Sequence, residues 1–184
     1  MKRCEWPKSE LMNEYHDKEW GVPLHDDKKL FEFLVLDAFQ AGLSWNIVLR
    51  KRKSFEKAFD NFDAKKIAKY TEKNFSRLIS DAGIIRNRLK ILGTIENAKR
   101  FLEVQREFGS FDEYIWQFTK NKTIKHRFVS LKELPAKTKE SDKMSEDLKK
   151  RGFKFVGSTI CYAFMQASGM VNDHLTSCFR YKEI

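Results

Sequence analysis

Lys149-Lys150-Arg151-Gly152-Phe153-Lys154-Phe155-Val156-Gly157-Ser158-Thr159 is the stretch on which the reading of the fold turns. Two glycines bracket a short turn, and an apolar helical pattern begins directly after the second. Upstream, Asp142 to Arg151 reads as a helix; downstream, Ser158 to Ser168 reads as another. A helix that starts at Gly157, with Ser158 and Thr159 in its first turn, offers unpaired backbone N–H groups and the positive end of its dipole, a favourable seat for a phosphate. Gly152 and Gly157 let a phosphate strand approach the backbone closely. Lys149, Lys150, Arg151 and Lys154 add positive charge. Such a hairpin grips a nucleic-acid backbone without reading its sequence. An ordinary helical hairpin with a solvated basic face satisfies the same spacing, so the motif alone leaves both readings open.

Outward from this hairpin the chain reads as a succession of amphipathic helices. One starts at an N-cap near Asp26-Asp27, runs from Lys28 to Ala41 and stops at Gly42. Others span Ser44 to Phe59, Asp63 to Tyr70, Glu72 to Ser80, and, after a turn at Asp81-Ala82-Gly83, a long basic stretch to Phe108. Phe111 to Phe118 is a short aromatic helix. Residues 119–137 are the least regular, with extended chain suggested at Phe128-Val129-Ser130. No alternation sustains a large sheet, so the expected fold is mainly α. The turn at 81–88 is a second, weaker basic hairpin.

Bulk properties fit this picture. The 184 residues are 41% hydrophobic and 14% aromatic, a globular composition, and suffice for one domain whose two helical lobes share a groove. A formal charge of +10 favours a polyanionic partner. No apolar run reaches the length of a membrane span, so no membrane partner is expected. The opening Met1-Lys2-Arg3-Cys4-Glu5-Trp6-Pro7-Lys8 lacks an apolar core. Three cysteines far apart argue for a reducing compartment, so a cytoplasmic location is expected.

His174-Leu175-Thr176-Ser177-Cys178 carries an i, i+4 pair that either shares a helical face or closes a small metal loop. Cys4 and His16 lie near the other end, and one thiolate and one imidazole from each end would complete a closed Cys₂His₂ site. A terminal cysteine and hydrogen-bonded surface histidines are the alternative. Cys161 sits in an apolar helix and reads as core. His25 and His126 show no partner pattern and read as surface groups.

The helix from Leu30 to Ala41 is apolar nearly all round, so Asp37 within it must be buried. A buried carboxylate is costly unless something pairs with it. It is either a structural ion pair or a group facing a pocket. Trp45, after the turn Gln40-Ala41-Gly42-Leu43-Ser44, can stack on a planar ring. Tyr15 and Trp20 flank His16, so a metal there would also hold pocket aromatics.

Tyr15-His16-Asp17, Glu19-Trp20-Gly21-Val22-Pro23, Gln40-Ala41-Gly42-Leu43-Ser44-Trp45, Asp81 to Arg86, and Lys149 to Cys161 continuing to Asn172-Asp173-His174 occur in this order. Together they resemble the DNA-3-methyladenine glycosylase I family, a branch of the helix-hairpin-helix glycosylases, over nearly the whole chain. The resemblance implies a structural zinc clasp at Cys4, His16, His174 and Cys178. It implies a base pocket at Tyr15 and Trp45, with Trp6 and Trp20 nearby, and Asp37 as the catalytic carboxylate. Leu43, beside Gly42, would enter the gap left by a flipped nucleotide. The implied reaction is hydrolysis of the N-glycosidic bond of 3-methyladenine in double-stranded DNA, without a lyase step, by a monomer. Three departures stand out. Asp37 replaces a Glu, Met12 replaces an aromatic residue, and Asn172 occupies the place where many helix-hairpin-helix glycosylases carry a catalytic Asp. Asp173, one residue on, is not assigned to catalysis. A zinc-stabilised nucleic-acid-binding module, or a glycosylase for another alkylated base, would share most of these features.

Overall fold

The computed structural model describes residues 2–184. Its ten α-helices among the described residues are α1 (Glu10–Lys18), α2 (Asp27–Gln40), α3 (Trp45–Ala58), α4 (Ala64–Ile67), α5 (Glu72–Ser80), α6 (Arg88–Phe108), α7 (Phe111–Trp116), α8 (Lys139–Lys150), α9 (Ser158–Ala167) and α10 (Arg180–Glu183). Two short strands, β1 (Ile124–Lys125) and β2 (Val171–Asn172), pair in parallel with Ile124 opposite Val171. No helix is long and apolar enough to cross a membrane.

α2 is the central element. Every residue from Leu30 to Phe39 is buried, as expected of a helix without a polar face. It packs against α3, α6, α7 and α9. Asp26 caps its start, accepting from the Lys29 N–H at 2.8 Å. Asp27 reaches across to α7 and accepts from the backbone N–H groups of Phe111 and Asp112, both at 2.8 Å. The other end of α2 is capped in a way the sequence did not announce. The Lys90 ammonium, buried at the start of α6, donates to the carbonyls of Phe39 (2.8 Å) and Ala41 (2.6 Å). These are carbonyls that a helix terminus otherwise leaves orphaned. Lys90 thereby ties the α2–α3 turn to α6.

Most helices lie where periodicity places them, with differences that have local causes. α8 begins at Lys139, three residues before the expected Asp142, because Thr138 and Ser141 form a reciprocal cap. Of Asp63 to Tyr70 only α4 is helical, and Asp60, Asn61 and Phe62 just before it take positive φ. The paired strand lies at Ile124–Lys125 and not at Phe128-Val129-Ser130, where Ser130 is extended but unpaired with a strand, because β1 needs β2 as a partner 47 residues away. α1 was not anticipated; Ser9 caps it by accepting from Met12 N–H.

The two hairpins are anchored from behind. Asn97 of α6 donates to Lys154 O (2.9 Å) and accepts from Lys154 N–H (2.6 Å), which fixes the turn between α8 and α9. Gly93 makes room for it: a Cβ there would stand 2.9 Å from the Phe155 ring. In the 81–88 turn, Asp81 accepts from Gly83 N–H at 2.7 Å, and Lys51 donates to Ala82 O at 2.8 Å.

Candidate active site and metal cluster

Four segments converge on one cavity of about 300 Å³. α1 brings Met12 and Tyr15, with Trp6 and Trp20 from its flanks. The α2–α3 junction brings Asp37, Gln40 and Trp45. α9 brings Ala163 and Gln166, and the irregular segment adds Leu131 and Leu134. Trp45 is the first residue of α3, so its ring stands where the chain turns out of α2. Its ring centroid lies 5.3 Å from that of Tyr15, and Trp6 meets Trp20 edge-on at 5.0 Å. The four aromatic residues expected at a pocket are thus together, and Met12 lies on the same wall.

Asp37 is 3% exposed, and its Oδ2 has no hydrogen-bond partner. The structural ion pair that the sequence left open is therefore absent for that oxygen. Burial pushes the Asp37 carboxyl well above the usual carboxylate range. Burial and the nearby Asp37 likewise push the Tyr15 hydroxyl well up. The indole Nε1 atoms of Trp45 and Trp6 are also buried without partners. Orphaned buried polar atoms are rare, and here three of them belong to residues lining one cavity. Such an apolar pocket with a few unmet polar groups suits a planar ligand that carries both donors and acceptors.

The nearest ion pairs brace the wall. Arg52 donates to Glu32 at 2.6 Å and to Glu19 at 2.8 Å, and its guanidinium lies over the Phe33 ring. Arg52 carried no sequence signal, because its partners come from two other segments.

Next to this cavity Cys4, His16, His174 and Cys178 form a fully buried group whose ligand atoms lie within 4.8 Å of one another. The i, i+4 pair closes a loop and is not part of a helix. His174 donates from Nε2 to Trp20 O at 2.9 Å, which leaves Nδ1 facing both sulfurs. The His16 Nδ1–H donates to Asp17 at 2.7 Å, leaving Nε2 toward Cys178. Leu175 N–H donates to the Cys4 sulfur at 3.3 Å. Burial holds His174 at about 4, neutral at physiological pH, and pushes the Cys4 thiol up to about 12. Two neutral imidazoles with free nitrogens and two thiols that need a cation to ionise make a donor set for a metal ion.

The remaining residues of interest lie apart from the metal group. Leu43 is 36% exposed on the turn beside the cavity. Lys154, Gly152, Gly157, Ser158 and Thr159 lie together on the α8–α9 turn, and a Cβ on Gly157 would meet open space. Cys161 is core, as expected. His126 corrects its surface reading: it is half-buried and pairs with Asp173 at 2.6 Å. His25 is exposed but pairs with Asp112 at 2.9 Å. Gln40, Gln166, Leu131 and Leu134 line the cavity without any signal in the sequence, since only tertiary packing brings them there.

The family description "Methyladenine glycosylase" matches residues 6–181. The chain belongs to the methyladenine glycosylase family. It is 47% identical to DNA-3-methyladenine glycosylase 1 of Escherichia coli over 182 residues, covering 98% of this chain and 97% of that protein. It is 45% identical to DNA-3-methyladenine glycosylase of Haemophilus influenzae, covering 96% of each. A crystal structure of 3-methyladenine DNA glycosylase I superposes with a TM-score of 0.95 at 46% identity, over 97% of this chain and 98% of that one. Another, a Tyr-to-Phe variant in complex with 3-methyladenine, gives 0.94 at 31% identity over 97% of each. The methyladenine glycosylase fold thus accounts for nearly every described element.

Proposed function

We propose that this chain is a DNA-3-methyladenine glycosylase, a hydrolase of N-glycosidic bonds that works on double-stranded DNA as a monomer in base-excision repair. The observation that carries the reading is the unpartnered Oδ2 of Asp37 in an aromatic cavity. A protein that only binds DNA has no use for a buried carboxyl left unpaired.

Methylation at N3 gives adenine a positive charge in the nucleotide and makes it a good leaving group. The damaged nucleotide is extruded into the pocket. The Trp45 face attracts the cationic ring, and Tyr15, Trp6 and Trp20 complete the enclosure. A cation beside Asp37 reverses the effect of burial and favours the carboxylate. Asp37 then pairs with the base edge, and the cavity selects the charged base over unmodified adenine. Water oxygen bonds to C1′ as the C1′–N9 bond breaks. The base leaves with the bonding pair as neutral 3-methyladenine, and the water proton is released. The pocket offers no lysine as a nucleophile, which supports a monofunctional enzyme.

The α8–α9 turn supports the helix-hairpin-helix reading. Lys154, Ser158, Thr159 and the N–H groups at Gly152 and Gly157 would hold phosphates. Leu43, on the turn that Lys90 braces, would fill the gap in the duplex. The cavity is lined from α1, α2, α3 and α9, and the reading of two helical lobes sharing a groove places the base pocket in that groove.

Zinc fits the buried cluster. Tetrahedral zinc with sulfur at about 2.3 Å and nitrogen at about 2.05 Å has S···N edges of about 3.6 Å. The observed sulfur–nitrogen separations are 3.5, 3.6 and 3.7 Å. Cys4, His16, His174 and Cys178 would hold it, and the outer hydrogen bonds already orient both rings. With four protein ligands it would supply a structural staple and leave no open position for chemistry.

The test is to incubate the protein with DNA treated with a methylating agent and identify the released bases. Release of 3-methyladenine, leaving abasic sites without strand cleavage, is expected. Absence of any released base overturns the reading.

A further inference from the structure

Asp173 directly precedes His174 of the buried Cys/His group and is not among the residues that line the cavity. It is 1% exposed. Its Oδ2 accepts from the Tyr162 hydroxyl at 2.5 Å and from Gln166 Nε2 at 2.7 Å, and its Oδ1 faces His126 Nδ1 at 2.6 Å. A carboxylate ringed by donors can only accept. The amide of Gln166 is therefore locked with its NH₂ toward Asp173. Gln166 also lines the cavity, and its Oε1 has no hydrogen-bond partner among the described residues. The polar atom that Gln166 can offer to the ligand is thus a carbonyl oxygen, an obligate acceptor.

We infer that Gln166 is a specificity-determining residue, with Asp173 as its positioning residue: the Asp173–Gln166 pair presents Oε1 to the pocket as a second acceptor for the exocyclic amine of the base. The inference rests on the base-pocket reading above. An amine has two hydrogens. Asp37 on α2 and Gln166 on α9 both line the cavity and can take one each. A base with an oxo group at that position would set acceptor against acceptor, and the Gln166 amide cannot turn over to rescue it, because that would withdraw its NH₂ from Asp173 Oδ2 and set Oε1 against the same buried acceptor. Exclusion of oxo purines then comes from a hydrogen-bond pattern built into the fold and not from shape.

Binding of the free bases 3-methyladenine and 3-methylhypoxanthine, followed by quenching of tryptophan fluorescence, tests this. The wild-type protein is expected to prefer the amine-bearing base. Gln166→Met, which keeps length and removes the acceptor, is expected to lose about tenfold in affinity for 3-methyladenine and almost none for 3-methylhypoxanthine. Asp173→Asn, checked for unchanged metal content, releases the amide and should raise affinity for the oxo base. A purely structural role would not move that selectivity. Equal losses for both bases in Gln166→Met, or no loss, overturn the inference, as does a wild-type protein without preference. If Gln166→Met fails to fold, the wild-type preference and Asp173→Asn still decide. Failure of the wild type to bind either base would instead sink the pocket reading itself.

Discussion

The indole of Trp20 meets the imidazole of His174 edge-on, with ring centroids 4.6 Å apart, and the Trp20 carbonyl accepts from His174 Nε2 at 2.9 Å. A pocket wall and a member of the buried Cys/His group are one packed unit. His16, adjoining Tyr15 in α1, also stacks on Trp20, with ring centroids 6.2 Å apart, and meets His174 edge-on at 4.7 Å. Whatever fixes the cluster therefore fixes the aromatic enclosure.

It follows that His174→Ala should lose bound metal first. Removing a ligand from a buried site costs about 3–5 kcal/mol, which lowers Tm by roughly 10 °C for a chain of this size. Base excision falls as a consequence. Metal analysis and a thermal melt check this. Full zinc content in the variant, or none in the wild type, would refute the staple.

Asp37→Asn should separate stability from activity. Excision of 3-methyladenine drops by about 100-fold, as when one charge-stabilising group is removed from an active site. Stability at neutral pH rises by about 1–3 kcal/mol, because a buried unpaired acid is replaced by a neutral amide. The sign with pH follows from the raised folded-state value. In acid, folded and unfolded chains both hold the proton and the two proteins match. As pH climbs above about 4, the unfolded wild type releases a proton that the folded chain keeps, so wild-type stability falls behind. Denaturant melts at pH 3.5 and pH 7 read the difference; unchanged excision would remove Asp37 from the chemistry.

Lys154→Ala should weaken binding to duplex DNA of any sequence and reduce the log–log salt slope by about 0.9, the value for one phosphate contact. Binding of free 3-methyladenine should not change, since Lys154 lies outside the cavity lining. Fluorescence anisotropy across a salt series measures both parts. An unaltered slope would count against the hairpin as a phosphate grip.

Lys90→Met leaves a buried carbonyl at Phe39 and a half-buried one at Ala41 without this donor and should cost about 2–3 kcal/mol, or roughly 5–10 °C in Tm. Because Lys90 holds the turn that carries Leu43, excision from DNA should fall more than binding of the free base. Equal falls would mean that Lys90 is only a prop for the core.

Much of the site was readable because its residues break local rules. Asp37 interrupts a helix that is apolar on every face. His174 and Cys178 repeat at a ligand spacing, and Gly152 and Gly157 bracket a basic turn. Lys90, Asn97, Arg52 and Gln166 break no rule where they stand. A lysine on a basic helix and a glutamine in an apolar one are ordinary until the chain closes around them. Extended chain at Phe128-Val129-Ser130 did not become a strand for the same reason: Ser130 is extended, but β-propensity is local, and the strand formed where Val171 offered a partner.

By itself the sequence determined the mainly helical fold, the burial of Asp37, the basic hairpin and the residue types of a metal group, because periodicity, charge and turn chemistry act between near neighbours. Only the tertiary structure decided that Cys4 and His16 meet His174 and Cys178, that Oδ2 of Asp37 has no partner, and that Gln166 turns its carbonyl oxygen to the cavity. Those facts depend on contacts between segments up to 170 residues apart, and a hydrogen bond or an orphaned atom exists only once both sides are in place.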